Sequence, residues 1–318
     1  MSVTGEELAQ RLREGDLSAA PAVLNLVEST APAQRPEIDA LLEGVSPAAL
    51  GGEAAAHVVG ITGPPGGGKS SLLSELIGHW RTQGRTVAVL AVDPSSKRSG
   101  GALLGDRARI VVDPADRGVL VRSSAAGGRL GGLAPATRAA AHALAAAFDI
   151  VVIETVGVGQ SETEVAEVAD TVVVVVQPGS GDVLQFLKSG IMEIPDVLVV
   201  TKADLGPPAL RSRRDLNAAL RSLGERNTRV VAVSSIAPAQ GFDELVAALD
   251  AHREGLDIAT RRLSARRASA LADFAAEHGE RGLRALGGRR AALKLLDEQD
   301  VSHDVPALTR ALEAAATA

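Results

Sequence analysis

The stretch His57–Leu73, HVVGITGPPGGGKSSLL, decides the fold of this chain. Val58 to Ile61 is a short apolar run rich in β-branched residues, which is typical of a buried strand. The run leads into the GxxxxGK[ST] pattern, and Ser71 to Arg81 follows as a predicted helix. A strand, a glycine-rich turn and a helix in this order predict a phosphate-binding loop. Its predicted nucleotide-binding residues are Gly63, Pro64, Pro65, Gly66, Gly67, Gly68, Lys69, Ser70 and Ser71.

Glycine suits such a loop because backbone N–H groups must wrap around phosphate oxygens in conformations that other residues adopt only at a cost. Lys69 is predicted to contact the β- and γ-phosphates, and the Ser70 hydroxyl to bind Mg²⁺. The N-terminus of the following helix also attracts anions. An ordinary glycine-rich turn is the alternative, but the strand before it and the helix after it favour nucleotide binding.

The amino-acid composition argues against several classes of function for this chain. The chain has 318 residues, enough for one α/β domain of about two hundred residues with additions. It has no tyrosine, one tryptophan and four phenylalanines, so it offers no aromatic platform for single-stranded nucleic acid. A net charge of −6 argues against general affinity for DNA or RNA. The absence of cysteine excludes disulfides and thiolate chemistry, and the six histidines lack zinc-site spacing.

From His57 onward, apolar runs alternate with helical segments. This alternation predicts an α/β fold of the P-loop NTPase class (a G domain) with a doubly wound, mostly parallel sheet. Near-continuous hydrophobicity is what a sheet covered on both faces requires. The predicted strands are Val58–Thr62, Thr86–Val92, Val119–Arg122, Ile150–Glu154, Thr171–Gln177, Val197–Thr201 and Val230–Val233.

Helical patterns flank this domain on both sides. We expect an N-terminal helical extension over 1–50, a GTPase domain over 51–254 and a C-terminal helical extension over 255–318. Thr4 and Glu7 have capping-box spacing, and the alanine-rich segment 134–147 is predicted to be a crossover helix packed on the sheet. Two apolar stripes are predicted near the C-terminus: Leu263, Ala270, Leu271 and Phe274, and then Leu283, Leu286, Leu293 and Leu296.

Arginines crowd the C-terminal region. We interpret most of them as a solvated helix face, because acidic residues are interspersed, with a self-association surface as the alternative. They are Arg261, Arg262, Arg266, Arg267, Arg281, Arg284, Arg289 and Arg290.

The first residues, MSVTGEELAQ, lack the basic start and apolar stretch of a secretory signal. The most apolar run, Val172 to Val176, is far too short to span a membrane. We therefore expect a cytoplasmic protein without a membrane partner.

Acidic residues follow two predicted strands at the edge where a parallel sheet collects ligands. Glu154 ends one apolar run, and Glu154-x-x-Gly157 resembles the DxxG element of GTP-hydrolysing switches. Its carboxylate would hold Mg²⁺, and the Gly157 amide would sense the γ-phosphate. Asp93 ends another run and, with Asp106, is a further Mg²⁺ candidate. Helix caps or turns are the ordinary explanation of such residues, but a phosphate loop in the same sheet favours the metal.

Thr201-Lys202-Ala203-Asp204 matches the [NT]KxD guanine element after a late strand. The Asp204 carboxylate, taken as buried, can accept hydrogen bonds from N1–H and the 2-amino group of guanine. Adenine has neither donor, so GTP is favoured over ATP. The Lys202 stem would lie along the base, and Ser234 and Ser235 could supply backbone contacts to the guanine oxygen.

The catalytic groups are less defined by the sequence. Lys69 and Glu154 are expected to take part, and Arg109 and Lys188 are candidates to stabilise developing negative charge. Ordinary surface ion pairs are an equal alternative for these two cations. No glutamine directly follows Gly157, so we expect a slow intrinsic GTPase whose switch loops are completed by a partner.

Four long segments carry a more specific signal: AVDPSSKRSGGALLGDRARI (Ala91–Ile110), IETVGVGQSETEVAEVAD (Ile153–Asp170), QPGSGDVLQFLKSGIMEIPD (Gln177–Asp196) and VTKADL (Val200–Leu205). Together they resemble the methylmalonyl-CoA mutase-associated GTPases of the MeaB/ArgK type. The resemblance runs from about residue 60 to 204 and more loosely to both ends.

The resemblance implies a homodimeric G-protein chaperone that gates adenosylcobalamin loading and protects or reactivates a methylmalonyl-CoA mutase-type enzyme. It implies switch segments at 95–109 and 157–164, and dimerisation through the C-terminal helices. A third loop, 179–188, would contact the client through Asp182, Gln185 and Lys188. It also implies that Lys69 and Ser70 contact phosphate and Mg²⁺, with Asp93, Asp106 and Glu154 as the metal-side acids. Thr201 replaces the usual Asn, which implies weaker base selectivity.

Three other functions are compatible with parts of this pattern. A small-molecule kinase acting on arginine or another amino acid would need an acceptor pocket but no guanine element. A metal-insertion GTPase would carry His- or Cys-rich ligand sets, which are absent here. A binding module would hold GTP without turnover.

Overall fold

The computed structural model describes residues 3–93, 110–125, 133–155, 165–179, 195–225 and 227–317. They fall into two compact units. The sheet unit consists of His57–Ala134 and Asp149–Leu256. The helical unit consists of Met1–Ala56, Pro135–Phe148 and Asp257–Ala318.

The sheet unit contains one seven-stranded parallel sheet with the strand order β3-β2-β4-β1-β5-β6-β7. All seven predicted strands are present, with ends that differ by a few residues, and the predicted α/β fold is confirmed. The strands are β1 (His57–Thr62), β2 (Val87–Asp93), β3 (Val119–Ala125), β4 (Ile150–Thr155), β5 (Thr171–Val176), β6 (Val197–Val200) and β7 (Arg229–Ala232).

Aliphatic side chains form the core of the sheet unit. Every residue of β1, β4, β5 and β6 is buried, as expected for strands covered on both faces. Trp80 and Phe242 are the largest side chains in this core and are almost fully buried. They lie on two helices that pack against each other. The described helices of the sheet unit are α5 (Lys69–Thr82), α7 (Pro207–Ser222) and α8 (Phe242–Glu254). Helix numbers follow the chain through both units, so the missing numbers belong to the helical unit.

The helical unit gathers segments that are far apart in the sequence. Its helices are α1 (Gly5–Arg13), α2 (Ala20–Val27), α3 (Arg35–Gly44), α4 (Pro47–Leu50), α6 (Pro135–Leu144), α9 (Ile258–Ala285), α10 (Arg289–Asp297) and α11 (Val305–Thr317). The capping box between Thr4 and Glu7 is confirmed. No helix in the described ranges has the length and apolarity needed to cross a membrane.

Helix α6 forms within the alanine-rich segment, as predicted. It is grouped with the helical unit, where it contacts α2, α3 and α9. Alanine favours a helix and permits close approach to either a strand or another helix. Composition therefore predicted the helix correctly and could not identify its neighbours.

The solvated-face interpretation is wrong for two arginines of α9. Arg262 is buried and donates hydrogen bonds to the backbone carbonyls of Ala54 and Ala56. Arg266 is buried one turn later, where it pairs with Glu53 at 2.9 Å. Both guanidinium groups hold the chain just before β1. The arginines at 281, 284, 289 and 290 are exposed, as predicted.

The predicted apolar stripes are only partly correct. Ala270, Leu271 and Phe274 are buried in a core shared by α9, α10 and α11. Leu293, in contrast, is 41% exposed and does not belong to that core. Leu283 and Leu296 of the second predicted stripe do belong to it. Leu293 lies on α10, which is separated from α9 by Gly287 and Gly288 at φ +83° and +97°. A helical periodicity read through these two glycines therefore assigns Leu293 to the wrong face.

A hydrogen-bonded chain of side chains lies at the amino end of the central strands. His57 Nε2 is 2.7 Å from Thr171 Oγ1, which is 2.8 Å from His252 Nδ1. His252 Nε2 in turn lies 3.2 Å from Asp196. All of these groups can be satisfied with neutral imidazoles if His57 donates to Thr171, Thr171 to His252, and His252 to Asp196. Burial lowers the pKa of His57 from 6.5 to about 4.

The low pKa of His57 predicts acid-sensitive stability. The unfolded chain binds this proton at about pH 6.5, whereas the folded chain resists it until about pH 4, so stability falls as the pH drops through this window. The expected loss is on the order of 3 kcal/mol. We expect His57→Gln, whose amide still reaches a hydroxyl but does not titrate, to flatten the pH dependence of urea unfolding between pH 7 and 4. A slope as steep in His57→Gln as in the wild type would contradict the assignment.

Candidate nucleotide-binding site

The phosphate loop connects β1 to α5 and depends on glycine at three positions. Gly63, Gly66 and Gly68 have φ values of +143°, +76° and +90°, which favour glycine. A Cβ atom at Gly63 would also lie 2.5 Å from the backbone oxygen of Val175 on β5. The loop can therefore leave β1 close against the neighbouring strand only because this residue has no side chain.

Lys69 begins α5 and is buried in the loop. Its Nζ donates hydrogen bonds to the carbonyl oxygens of Gly63 at 2.7 Å and Pro64 at 3.2 Å. The loop thus folds around a cation. A buried ammonium held among backbone groups is a suitable partner for phosphate oxygens.

Ser70 and Glu154 bring two oxygen ligands together at the same edge of the sheet. Ser70 Oγ lies 3.3 Å from Glu154 Oε1, and Glu154 is buried at the end of β4, which pairs with β1. A hydroxyl and a carboxylate are the ligand types that Mg²⁺ prefers. These two predicted metal ligands therefore fit a magnesium ion. Asp93 ends β2 as predicted, but its side chain lies outside the described part of the structure.

The predicted guanine element lies directly against the phosphate loop. Thr201 is buried and its hydroxyl donates to the Gly67 carbonyl at 2.7 Å. Lys202 has φ +53°, and its Nζ lies 3.3 Å from the Gly66 carbonyl oxygen. Thr201 therefore uses its side chain to hold the loop. The sequence signal that identified the element gave no indication of this contact.

Asp204 differs from the prediction of a buried carboxylate, because it is exposed in a short 3-10 turn, Ala203–Leu205, after β6. One of its oxygens accepts a hydrogen bond from Ser234 Oγ at 2.8 Å. Ser234, predicted to offer only backbone contacts, thus orients the Asp204 side chain. Ser235 is half-buried beside it, while Pro65 and Ser71 are exposed on the phosphate loop and at the start of α5.

Several predicted site residues lie outside the described ranges, so the structure does not place them. They are Asp106, Arg109, Gly157, Asp182, Gln185 and Lys188.

Ser74 is a site-supporting residue that sequence analysis missed. Its hydroxyl donates to the Ser70 carbonyl at 2.9 Å and accepts a hydrogen bond from the Val111 amide, also at 2.9 Å. Ser74 thereby joins the first turn of α5 to the chain that follows residues 94–109. A serine four residues after the motif serine was the available signal, but its second partner depends on tertiary structure.

Comparison with known proteins identifies the family. The family model for methylmalonyl Co-A mutase-associated GTPase MeaB matches residues 20–281. The chain belongs to the MeaB family. This MeaB-family chain is 42% identical over 270 residues to a Pyrococcus abyssi protein named as a GTPase, covering 82% of this chain and 80% of the relative.

A mouse relative connects the MeaB family to a mitochondrial protein. The methylmalonic aciduria type A homolog of Mus musculus is 39% identical over 232 residues, covering 70% of this chain and 56% of the relative. Among solved structures, the crystal structure of an LAO/AO transport system kinase matches with a TM-score of 0.67 and 26% identity, covering 100% of this chain and 99% of the other. P-loop GTPase architecture in this MeaB-family chain agrees with all three comparisons.

Two glycine substitutions distinguish the loop constraint from a general effect of adding a methyl group. Gly63→Ala places a Cβ against the Val175 oxygen in an unfavourable φ region, so we expect a loss of about 2 kcal/mol or more in unfolding free energy. The control Gly78→Ala, on the exposed face of α5 with no atom near its Cβ, should stabilise the chain by about 0.5–1 kcal/mol. Chemical denaturation measures both changes. A Gly63→Ala chain as stable as the wild type would show that the close approach is not required.

Proposed function

We propose that this chain is a Mg²⁺-dependent GTPase that hydrolyses GTP to GDP and phosphate and serves as a chaperone for an adenosylcobalamin-dependent acyl-CoA mutase. One observation supports the enzymatic part above all. The loop cation Lys69, the Ser70–Glu154 oxygen pair and the Asp204–Ser234 pair are all held at the carboxyl ends of strands of one parallel sheet.

The phosphate side acts through positioning and charge. The loop carbonyls of Gly63 and Pro64 keep the Lys69 ammonium where it can exchange them for phosphate oxygens, while the loop amides donate to the same anion. Ser70 and Glu154 are the described residues that would hold Mg²⁺, with Asp93 and Asp106 proposed as further acids. The ion would neutralise charge on the phosphate oxygens. Positioning and charge stabilisation are the main protein contributions to phosphoryl transfer.

The base side acts through one oriented carboxylate. The Ser234 hydroxyl fixes Asp204, which can then accept from the two donors on the guanine edge that adenine lacks. Thr201 and Lys202 contact the loop carbonyls of Gly67 and Gly66. The guanine element is therefore hydrogen-bonded directly to the phosphate loop, which links base recognition to phosphate binding. Ser235 is proposed to contribute a backbone contact to the guanine oxygen.

Family membership supports the proposed chaperone role, which goes beyond the site geometry. The family is named for its association with methylmalonyl-CoA mutase, and the mouse relative is named for methylmalonic aciduria. We propose that a mutase client completes a slowly hydrolysing site. Arg109 and Gly157 would act from the two switch segments, and Asp182, Gln185 and Lys188 would contact the client from the third loop. A homodimer formed through C-terminal helices and a cytoplasmic location belong to the same proposal.

Transfer of phosphate to a small molecule is a second candidate, because the similar solved structure is named as a transport system kinase. An enzyme of that type would transfer the labelled phosphate from the nucleotide to an acceptor such as an amino acid. The guanine element supports the GTPase, since a kinase has no requirement for it.

The base assignment predicts an inverted nucleotide preference. Asp204→Asn replaces one acceptor by a donor, so this variant should prefer XTP and bind GTP at least about tenfold more weakly. Fluorescence titration with labelled nucleotides measures both affinities. Asp215→Asn, an exposed site on α7, is the matched control and should bind GTP as the wild type does. An unchanged GTP preference in Asp204→Asn would refute the assignment.

The chaperone proposal predicts a client-dependent rate. Phosphate release from γ-labelled GTP should be slow for the chain alone, faster with a purified cobalamin-dependent mutase, and lost when EDTA removes Mg²⁺. A cobalamin-independent acyl-CoA enzyme serves as the control protein. Label recovered on added arginine would support the kinase, and a rate that does not respond to the mutase would refute the client assignment while leaving the GTPase intact.

A further inference from the structure

The helical unit contains a large cavity that is separate from the residues of the nucleotide site. Its volume is about 850 Å³, within the range of small-molecule pockets. It is lined by the connection between α2 and α3 and by residues of α3, α6, α9 and α11. Much of the wall is apolar, including Val27, Ile38, Leu42, Ala139 and Val305.

A smaller chamber of about 40 Å³ adjoins this cavity. The two share five lining residues, which identifies them as parts of one depression. A volume of this size holds a few water molecules or one ammonium group. The chamber is also lined by Asp304, the residue before α11.

Asp304 is a buried carboxylate with an unused oxygen. The residue is 6% exposed, and its Oδ1 accepts a hydrogen bond from the Ala307 amide at 2.7 Å. Its Oδ2 is buried and has no hydrogen-bond partner among the described residues. A buried acceptor without a donor destabilises the fold, so a ligand that supplies a donor would recover that free energy.

Charged side chains of both signs surround Asp304. Two buried arginines, Arg138 and Arg266, line the same chamber, and each is paired with another carboxylate, Asp273 and Glu53 respectively. Burial raises the pKa of Asp304, and the carboxylates of Glu43 and Asp39 raise it further, while Arg310 opposes them. Burial also raises the pKa of Asp39, whose ion pair with Arg310 is loose at 3.6 Å. The cavity's other acids have close partners, as Glu277 pairs with Arg35. Among the described residues, Asp304 is therefore the carboxylate of this depression without a close cationic partner.

We propose that this cavity binds a small organic cation, with its ammonium or amidinium group at Asp304 and its apolar body along the α3, α6 and α11 walls. A divalent metal fits less well, because within the described ranges the group of metal-type ligands is Glu277, His278 and Glu313, which does not include Asp304. The lining of both cavities includes none of the nucleotide-site residues, so the proposal does not rest on the GTPase assignment.

A pair of probes with the same body tests the charge requirement. Hexylamine and 1-hexanol are titrated into the full chain without nucleotide, using calorimetry and the NMR shift of the Ala307 amide that bonds to Asp304. We expect hexylamine to bind at least about tenfold more tightly than hexanol and to shift the Ala307 resonance. Equal affinities, or no shift at Ala307, would overturn the proposal.

Two variants and a control locate the site. Asp304→Asn retains an oxygen that can accept from Ala307 but removes the charge, so its affinity for hexylamine should fall at least about tenfold, towards that for hexanol. Asp300→Asn changes an exposed residue of the same connection, which accepts a hydrogen bond from the Ser302 amide, and this variant should bind as the wild type does. Ala139→Leu narrows both cavities and should weaken both probes. Unchanged hexylamine binding in either Asp304→Asn or Ala139→Leu would place the cation elsewhere and reject the site.

Discussion

The close approach between Gly63 and the Val175 oxygen determines how the phosphate loop leaves the sheet. β1 and β5 are paired up to Thr62 and Val174, so the loop begins where the backbones are already adjacent. A side chain there would push the loop away from β5. Because residue 63 is glycine, the chain can turn at the edge of the sheet. This turn brings Ser70 beside Glu154 on β4, the strand that pairs with the other side of β1. One missing Cβ thus allows a loop that begins beside one neighbouring strand to contact the other.

Polar groups at the two ends of the sheet have different kinds of partner. At the amino end, His57, Thr171 and His252 bond to one another, and Asp170 accepts from the Val58 amide. At the carboxyl end, Lys69 is held by loop carbonyls that phosphate oxygens can replace. This difference is consistent with the rule that ligands of parallel sheets collect at the carboxyl ends of strands. The interior between the two ends is aliphatic and provides the rigid support that both networks need.

The sequence predicted the sheet and the phosphate loop because their signals are local. A strand buried on both faces must be apolar throughout, and a loop around phosphate needs its glycines in a fixed order. The errors share another origin, which is the choice of tertiary neighbours. Nothing in the spacing of Arg262 and Arg266 revealed that backbone carbonyls and Glu53 would lie opposite them. Likewise, the [NT]KxD pattern located Asp204 but could not show its exposure or the Ser234 hydroxyl that orients it. The described structure leaves the predicted switch and client residues as proposals.

Helix α6 makes the helical unit difficult to remove. The chain leaves the sheet after β3, forms α6 among α2, α3 and α9, and returns to the sheet at β4. The helical unit therefore includes a segment from the middle of the polypeptide as well as segments from both ends. Trimming both termini would leave α6 behind, with its buried alanines facing water. The terminal helices and the segment between β3 and β4 pack together, which argues against regarding the terminal helices as an interchangeable module.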